Sequence, residues 1–483
     1  NDAGSGDQID VNTWQFIAGP TGYAQTGTMV TVPSINATVS NIDFGFNFDV
    51  ITNTNDIGAG SLRQFVFNAD GLDNIGLSQD GFASDTEHAI WMISNGTSAA
   101  GLRSDHDYFT AGVATIALQT SLPILNDPVI LDATLQPGYS GSPVVVLDGS
   151  LAGAGVNGLE LLAPGCEVRG LTIGGFDGSG IVVSAIDCLV AANWIGIDAT
   201  GSAALANNAD GITVWSDGAI IGGGAPEDRN VISGNGADGV RIEFTSSGSS
   251  VRGNWIGTDA TGTAAIPNGT LVSPSAGLEA NGDNTVIGGP TPDERNVISG
   301  NTEVGLRLSG FASSVLGNSI GADVNGASLG NGGTGLFVSA DFGGANLEIG
   351  GVNVEDGNII ANNAGIGIEL DPLTGEGIAI LSNRIYENGS IGIDLAGDGI
   401  TTNDPLDTDF GPNSLQNYPE LTLARTSDVD LHVVGALLGD PSSRFRVEFF
   451  ASTNADLSGN GEGERFLGTA LAETDAFGEA AFD

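Results

Sequence analysis

The sequence predicts an all-β chain built mainly as a right-handed parallel β-helix, with a small β element at each end. Three observations carry this. The 483 residues are too many for one compact core, so several domains or a one-dimensional repeat is required. A phrase of Gly followed by two apolar residues flanking one variable position recurs along the chain: Gly158-Leu-Glu-Leu161, Gly211-Ile-Thr-Val214, Gly239-Val-Arg-Ile242, Gly305-Leu-Arg-Leu308, Gly335-Leu-Phe-Val338 and Gly365-Ile-Gly-Ile368. No helical period separates these short strands. Doubly wound packing is therefore excluded, and coiling lets each strand bury its apolar side against the next turn.

The elements follow in chain order. Residues 1–49 form a first β segment, on the alternation in Thr28 to Val32 and the run from Val39 to Phe48. The start at Asn1, without Met, fits a piece of a longer secreted precursor. Residues 50–416 are the β-helix. Ser61-Leu-Arg-Gln64 has capping-box spacing and leads into Phe65, Val66 and Phe67, which predicts a short helix closing the N-terminal end. Two further phrases interleave with the first. Asn193-Trp-Ile-Gly196 returns as Asn254-Trp-Ile-Gly257 and, after a nearly equal interval, as Asn318-Ser-Ile-Gly321. Arg229-Asn-Val-Ile-Ser-Gly-Asn235 recurs at Arg295 and degenerates at Gly357. Cys166-Glu-Val168 with Ile173-Gly174 matches Cys188-Leu-Val190 with Ile195-Gly196 at the same internal offsets, so one turn there runs from Cys166 to Cys188. That places Cys166 beside Cys188, either as a disulfide or as stacked free thiols. The related stretches Asp198 to Ala204 and Asp259 to Ala265 are expected to project as loops on one side. Over residues 417–483 the strands lengthen (Asp430 to Leu438, Phe445 to Ala451, Arg465 to Ala472), as in an antiparallel immunoglobulin-like sandwich. Both flanks fall short of complete domains.

Charge narrows the partners. Asp and Glu number 59 against 13 basic residues, all Arg, for a net charge of -46. No basic stripe exists to neutralise phosphates, which excludes nucleic acid and anionic membrane as partners. Carboxylate-rich turns instead favour hard divalent cations. No apolar run is long enough to span a membrane.

The segment Thr52-Asn-Thr-Asn-Asp-Ile-Gly-Ala-Gly-Ser-Leu-Arg-Gln64 resembles the opening motif of large secreted bacterial β-helix repeat proteins. The Asn-Trp-Ile-Gly and Arg-Asn-Val-Ile-Ser-Gly-Asn phrases, the insertion beginning at Asp259, and the stretch Asp409-Phe-Gly-Pro-Asn-Ser-Leu-Gln-Asn-Tyr-Pro419 are similar to the same family. The resemblance spans about residues 40 to 483. It implies the fold and an immunoglobulin-like C-terminal module, and it brings no catalytic residues with it.

Chemistry has to be sought directly, because β-helices also host polysaccharide lyases and hydrolases. A lyase of that type needs a strong base; Lys is absent, and Arg241 and Arg307 take the outward position of equivalent strands, as a regular surface ladder would place them. The richest acidic cluster is Asp394, Asp398, Asp404, Asp407 and Asp409, in the turn that leaves the solenoid. With Gly397, Gly399, Gly411 and Asn403 allowing a tight wrap, it suits calcium; a solvated acidic turn and a catalytic dyad compete. His88, His106 and His432 show no ligand spacing. Gly153-Ala-Gly-Val-Asn-Gly158 matches a dinucleotide fingerprint, but a strand follows it where a helix is needed. Asn193, Asn254 and Asn318 suit an internal amide ladder, and Trp194 and Trp255 turn outward, where they could stack on sugar rings. Asn36, Asn95, Asn268 and Asn388 begin glycosylation sequons.

These features predict a non-catalytic extracellular protein: an acidic rod in a surface fibre, filament or matrix, self-associating head to tail by strand complementation with residues 1–49 as the exchanged segment. The alternatives are a carbohydrate-binding or polysaccharide-cleaving protein and a calcium-dependent adhesin.

Overall fold

The structure, a computed structural model, describes residues 49–483 except 72–73, 75, 78, 80–81, 83, 99–101, 103–105, 271–274, 340–345, 428–429, 455–459 and 461. The predicted first β segment thus lies outside the described residues, save for Asp49.

Each coil gives one short strand to each of three parallel sheets. In the coil that starts at Glu167 these are Glu167–Arg169, Leu171–Gly174 and Ile181–Val183. They pair with Leu189–Ala191, Trp194–Ile195 and Ile212–Val214 of the next coil, in the parallel registers Glu167↔Leu189, Thr172↔Trp194 and Ile181↔Ile212. Repetition builds a first sheet of 10 strands, a second of 11 and a third of 9. The chain is a parallel β-helix. Among the described residues of these sheets, only the outermost strand of the second, Phe109–Thr110, runs antiparallel, turning back on Val113–Ala117.

Register corrects three details of the sequence reading. The Asn-Trp-Ile and Asn-Val-Ile phrases are one structural position in alternate coils, because Trp194 pairs with Val231 and Val231 with Trp255. The interval from Asn193 to Asn254 is thus two coils, the first marked by Leu189↔Ile220 and the second by Ile220↔Ser250. The short turn of the cysteine coil is confirmed by Glu167↔Leu189, but it is not general: the coil Ser250↔Val286 is longer because it carries an insertion. The sixth repeat phrase also shifts along the chain. Leu336 pairs with Ile368, so the strand is Ile368–Leu370 and Gly367, not Gly365, is its leading glycine. The reason is steric, since a Cβ on Gly367 would lie 2.5 Å from the Gly392 carbonyl oxygen and 2.8 Å from Ile385 Cγ2.

The interior is a set of stacks of like residues. Val168, Val190, Ile221, Val251, Ile287, Val315 and Ile349 form one column in the first sheet, all fully buried. β-Branched side chains suit these pleated positions, and each contributes about 1.5–3 kcal/mol on burial. The corner between the first and second sheets is tight in the coil that runs from Ser250–Arg252 to Trp255–Ile256. Gly253 turns it at φ +69°, with the Gly223 carbonyl 2.5 Å from where a Cβ would stand.

Both ends of the coil are covered by the chain itself. At the start sits the predicted helix, Leu62–Ala69, whose first turn is capped by Ser61 Oγ accepting from Gln64 N–H at 3.2 Å. The capping box is only half formed, because the Gln64 amide donates to Asn68 Oδ1 instead. Leu62, Phe65 and Val66 are buried, and Arg63 is pinned by Asp56 at 2.6 Å and by the carbonyls of Thr120 and Ser121. At the far end, Glu420–Thr426, Leu431–Leu438 and Glu479–Phe482 form a three-stranded antiparallel sheet, and Arg444–Ala451 pairs with Arg465–Glu473. A small core of Leu437, Val447, Ala472, Ala480 and Phe482 joins them. This module docks on the last coil through Ile385 N–H to the Gly463 carbonyl (2.9 Å) and Ser382 N–H to Glu448 Oε2 (2.7 Å).

Candidate functional site

The candidate centre grows out of the turn after the last solenoid strand, Ile393–Asp394. Of the five acids singled out there, the structure gathers three. Asp404, Asp407 and Asp409 each present a carboxylate oxygen within 4.8 Å of the others. Asp394 serves its own turn, accepting from Ala396 N–H (3.2 Å) and Gly399 N–H (2.9 Å), and Asp398 stands outside the group.

Asn417 closes the loop that carries the three. Its Oδ1 accepts from Asp404 N–H (2.9 Å), its Nδ2 donates to the Asp404 carbonyl (2.8 Å), and its own N–H donates to Asp407 Oδ1 (2.9 Å). Leu406 and Asp407 take left-handed backbone at φ +68° and +52° to make the wrap. Asp404 Oδ2 accepts from Thr408 N–H and Oγ1–H. Asp404 Oδ1 and Asp409 Oδ1, however, are buried and accept no hydrogen bond from the described residues. Burial pushes the Asp407 carboxyl above the usual carboxylate range, and the neighbouring acids add to the shift. Acceptor oxygens so placed repel one another unless a proton or a cation sits between them. The donor set is all hard oxygen, the set that calcium and magnesium take.

The asparagines form not one ladder but two. Asn193, Asn230, Asn254, Asn296, Asn318, Asn358 and Asn383 stack along the first corner, each Nδ2 donating to the next Oδ1 at 2.8–3.3 Å. Asn207, Asn235, Asn268, Asn301, Asn331, Asn363 and Asn388 stack along another, at 2.9–3.0 Å. The sequence reading missed the second ladder, although its signal is the final Asn of the Arg-Asn-Val-Ile-Ser-Gly-Asn phrase. Asn268 and Asn388, two of the sequon residues, are thereby committed to the ladder; Asn36 lies outside the described residues.

The insertions do not simply project. Each closes on itself by a bridge, Ile197↔Ala204, Thr258↔Ala265 and Ala322↔Ser328. They stack on one another through Ala260 N–H to the Gly201 carbonyl (2.8 Å) and Val324 N–H to the Gly262 carbonyl (3.2 Å). Trp194 and Trp255 pack beneath them with Ile197, Val231, Ile266 and Ala260, and the Arg229 guanidinium lies 4.5 Å from the Trp255 ring. The tryptophans point outward as expected but are half-buried by this roof, which removes them as open stacking platforms.

On the third sheet, Arg241 and Arg307 sit in one row with Glu279 between them. Arg241 reaches Asp238 at 2.6 Å, Glu279 at 3.2 Å and Asp210 at 3.4 Å. Burial, against the pull of Arg241, raises the Asp238 carboxyl to about 8. Arg307 stacks on Phe337 at 4.9 Å. His88 is buried against Phe82, His106 stacks on Tyr108, and His432 contacts Asp483, so the three share no site. Gly153 leads through a turn into the strand Leu159–Leu161 and not into a helix. Cys166 and Cys188 are buried free thiols on adjacent coils; a mutual hydrogen bond and burial hold the Cys166 thiol well above its ordinary range.

No protein-family model matches this chain, and no curated protein matches it. Among solved structures, the A-module of the Azotobacter vinelandii mannuronan C-5 epimerase AlgE4 is similar at 13% identity and a TM-score of 0.24. That match covers 57% of this chain and 64% of the epimerase module, less than two thirds of it. The β-helix assignment rests on the strand registers themselves.

Proposed function

We propose that this protein is a non-catalytic extracellular structural component, an acidic β-helical rod that builds a surface fibre or matrix. The observation that carries the reading is the run of three sheets, each with 9 or 10 parallel strands among the described residues, laced by two amide ladders and covered at both ends by the chain's own elements. Such a body is rigid along one axis. Calcium held by Asp404, Asp407 and Asp409 would stiffen the joint between the rod and its terminal module, by bridging a loop that leaves the last coil and leads into Glu420–Thr426. Electron microscopy of the native extracellular fraction tests the reading: regular filaments or sheets of rods are expected, and isolated rods at all concentrations overturn it.

One observation favours a second reading, carbohydrate binding. Trp215 stands 46% exposed at the end of the strand carrying Thr213, one coil from Arg241 and its three carboxylates. An exposed aromatic beside fixed hydrogen-bonding groups suits a sugar ring. Retention on a polysaccharide panel, lost in Trp215→Ala, would establish it; release of reducing or unsaturated ends would show cleavage.

A further inference from the structure

We infer that residues Ile42–Phe48 of one copy complete the C-terminal module of a second copy, pairing as an added strand along the open edge of Glu420–Thr426. The inference rests on the filament reading and supplies its joint.

The acceptor is incomplete in two respects. The strand Glu420–Thr426 ends its sheet, paired on one side with Leu431–Leu438 and with no strand on the other among the described residues. All seven of its residues are exposed, including Leu421 at 57% and Leu423 at 43%. A long edge with exposed apolar side chains is a template for strand addition. Among the described residues the module has five strands, where a sandwich of the immunoglobulin type has about seven, and its core has five buried apolar residues.

The donor is written in the sequence. Ile42, Phe44, Phe46 and Phe48 alternate with Asp43, Gly45 and Asn47, the period of a strand with one apolar face. Such a face matches what the acceptor lacks.

Geometry makes the pairing intermolecular. Asp49 is anchored at the first coil by Ile90 N–H to its carbonyl (2.7 Å) and by Gln79 Nε2 to its Oδ2 (2.7 Å). The module docks on the last coil at Ile385. The 10 strands of the first sheet, at about 4.8 Å each, separate those ends by roughly 43 Å. Seven extended residues reach only about 24 Å, so Ile42–Phe48 cannot lie along Glu420–Thr426 of its own chain. It can lie along that of the next. The contact is head to tail, and a heterologous contact of this kind that does not close into a ring yields a filament.

Hydrogen exchange on the full chain, assembled and dilute, tests this, together with Phe44→Asp/Phe46→Asp and a synthetic peptide of residues 39–49. In filaments the amides of 420–426 should exchange at least roughly tenfold more slowly than in dilute protein. The double variant should stay monomeric with that edge unprotected, and excess peptide should shorten filaments while protecting the same amides. Filaments with 420–426 unprotected, or a double variant that assembles like the parent, overturn the strand pairing and leave the filament reading standing. Peptide-induced protection without filaments under any condition upholds the pairing and removes the filament.

Discussion

Asn254→Ala tests what holds the coils in register. Asn254 is fully buried, and its side chain bonds to the coil on either side. Its Nδ2 donates to the carbonyls of Ile221 (2.9 Å) and Arg252 (2.9 Å) and to Asn296 Oδ1 (3.1 Å). Its Oδ1 accepts from Asn230 N–H (3.3 Å) and Nδ2 (2.9 Å). Truncation strands two buried donors of Asn230, each costing about 1–3 kcal/mol, so a loss of roughly 2–6 kcal/mol is expected. The exposed Asn208, bonded to Asp177 at 2.8 Å, is the control, and Asn208→Ala should stay within about 0.5 kcal/mol. Asn254→Asp sharpens the test. It keeps the acceptor but aims a carboxyl at three oxygens, which raises its folded pKa above the unfolded value. Stability must then fall as pH rises through the unfolded pKa toward the folded one, an added slope the parent lacks. Because repeat rods unfold in parts, the assay pairs urea midpoints with amide exchange at Val231–Ile232 and Trp255–Ile256. A loss no greater than the Asn208→Ala control would refute the ladder as the element that sets register.

Three further outcomes follow from particular groups. Millimolar calcium should raise the melting temperature, with about 2.7 kcal/mol gained at a hundred times the dissociation constant; Asp404→Asn/Asp409→Asn should abolish the gain, and an equal gain in that variant removes these residues as ligands. Burial first, then Asp49, Asp127 and Asp70, raise Glu87 from 4.5 to about 8. The folded state therefore holds a proton that the unfolded state has lost between those values, so stability contributed by neutral Glu87 declines across pH 4.5 to 8. Denaturation series in Glu87→Gln should lack that part of the decline, and an unchanged slope counts against the assignment. Mild oxidation should join Cys166 to Cys188, closing the loop of a single coil and adding about 3 kcal/mol; thiols that stay titratable after oxidation of folded protein would show the pair is misaligned for a bridge.

The solenoid was legible because its inward residues obey a local rule. Every coil must present apolar side chains inward from the same three strands, and Ile195, Ile232, Ile256 and Ile298 announce this for the second sheet wherever they stand. Coil length was not legible beyond the cysteine coil. The excursions between sheets vary freely on the surface, at the second-to-third corner and, through Pro226–Asp228 and Val354–Asp356, at the first-to-second corner, so no periodicity records them, and phrases from alternate coils passed for separate motifs. The acidic site was legible as composition but not as geometry. Asp394, Asp404, Asp407 and Asp409 are alike in sequence, and the bonds that hold Asp404 and Asp407 together come from Asn417, up to 13 residues away. The roof over Trp194 and Trp255 was hidden for a related reason: each loop is held by the loop of another coil.

The amide ladders give the rod a direction, and the direction explains its two unlike ends. Every rung-to-rung bond runs from Nδ2 to the Oδ1 of the next coil toward the C-terminus, while each Nδ2 also donates back to a carbonyl of the preceding coil, as Asn254 does to Ile221. The first rungs therefore present acceptors, which backbone N–H groups can satisfy: Leu171 N–H reaches Asn193 Oδ1 at 3.0 Å and Phe176 N–H reaches Asn207 Oδ1 at 3.3 Å. The last rung presents donors, and a solenoid that simply stopped would leave them buried and unpaired. Glu462 of the terminal module stands where the next asparagine would, accepting from Asn388 N–H at 3.4 Å and Nδ2 at 3.3 Å. On the neighbouring corner Glu448 accepts from the N–H of Ser382, the residue before the last rung Asn383, whose Nδ2 donates to the Ile349 carbonyl. A carboxylate can accept and cannot donate, so it ends the ladder as well as extending it. The C-terminal module thus meets the donors of the last rung of one ladder, and the strand edge it leaves open is where the next copy can begin.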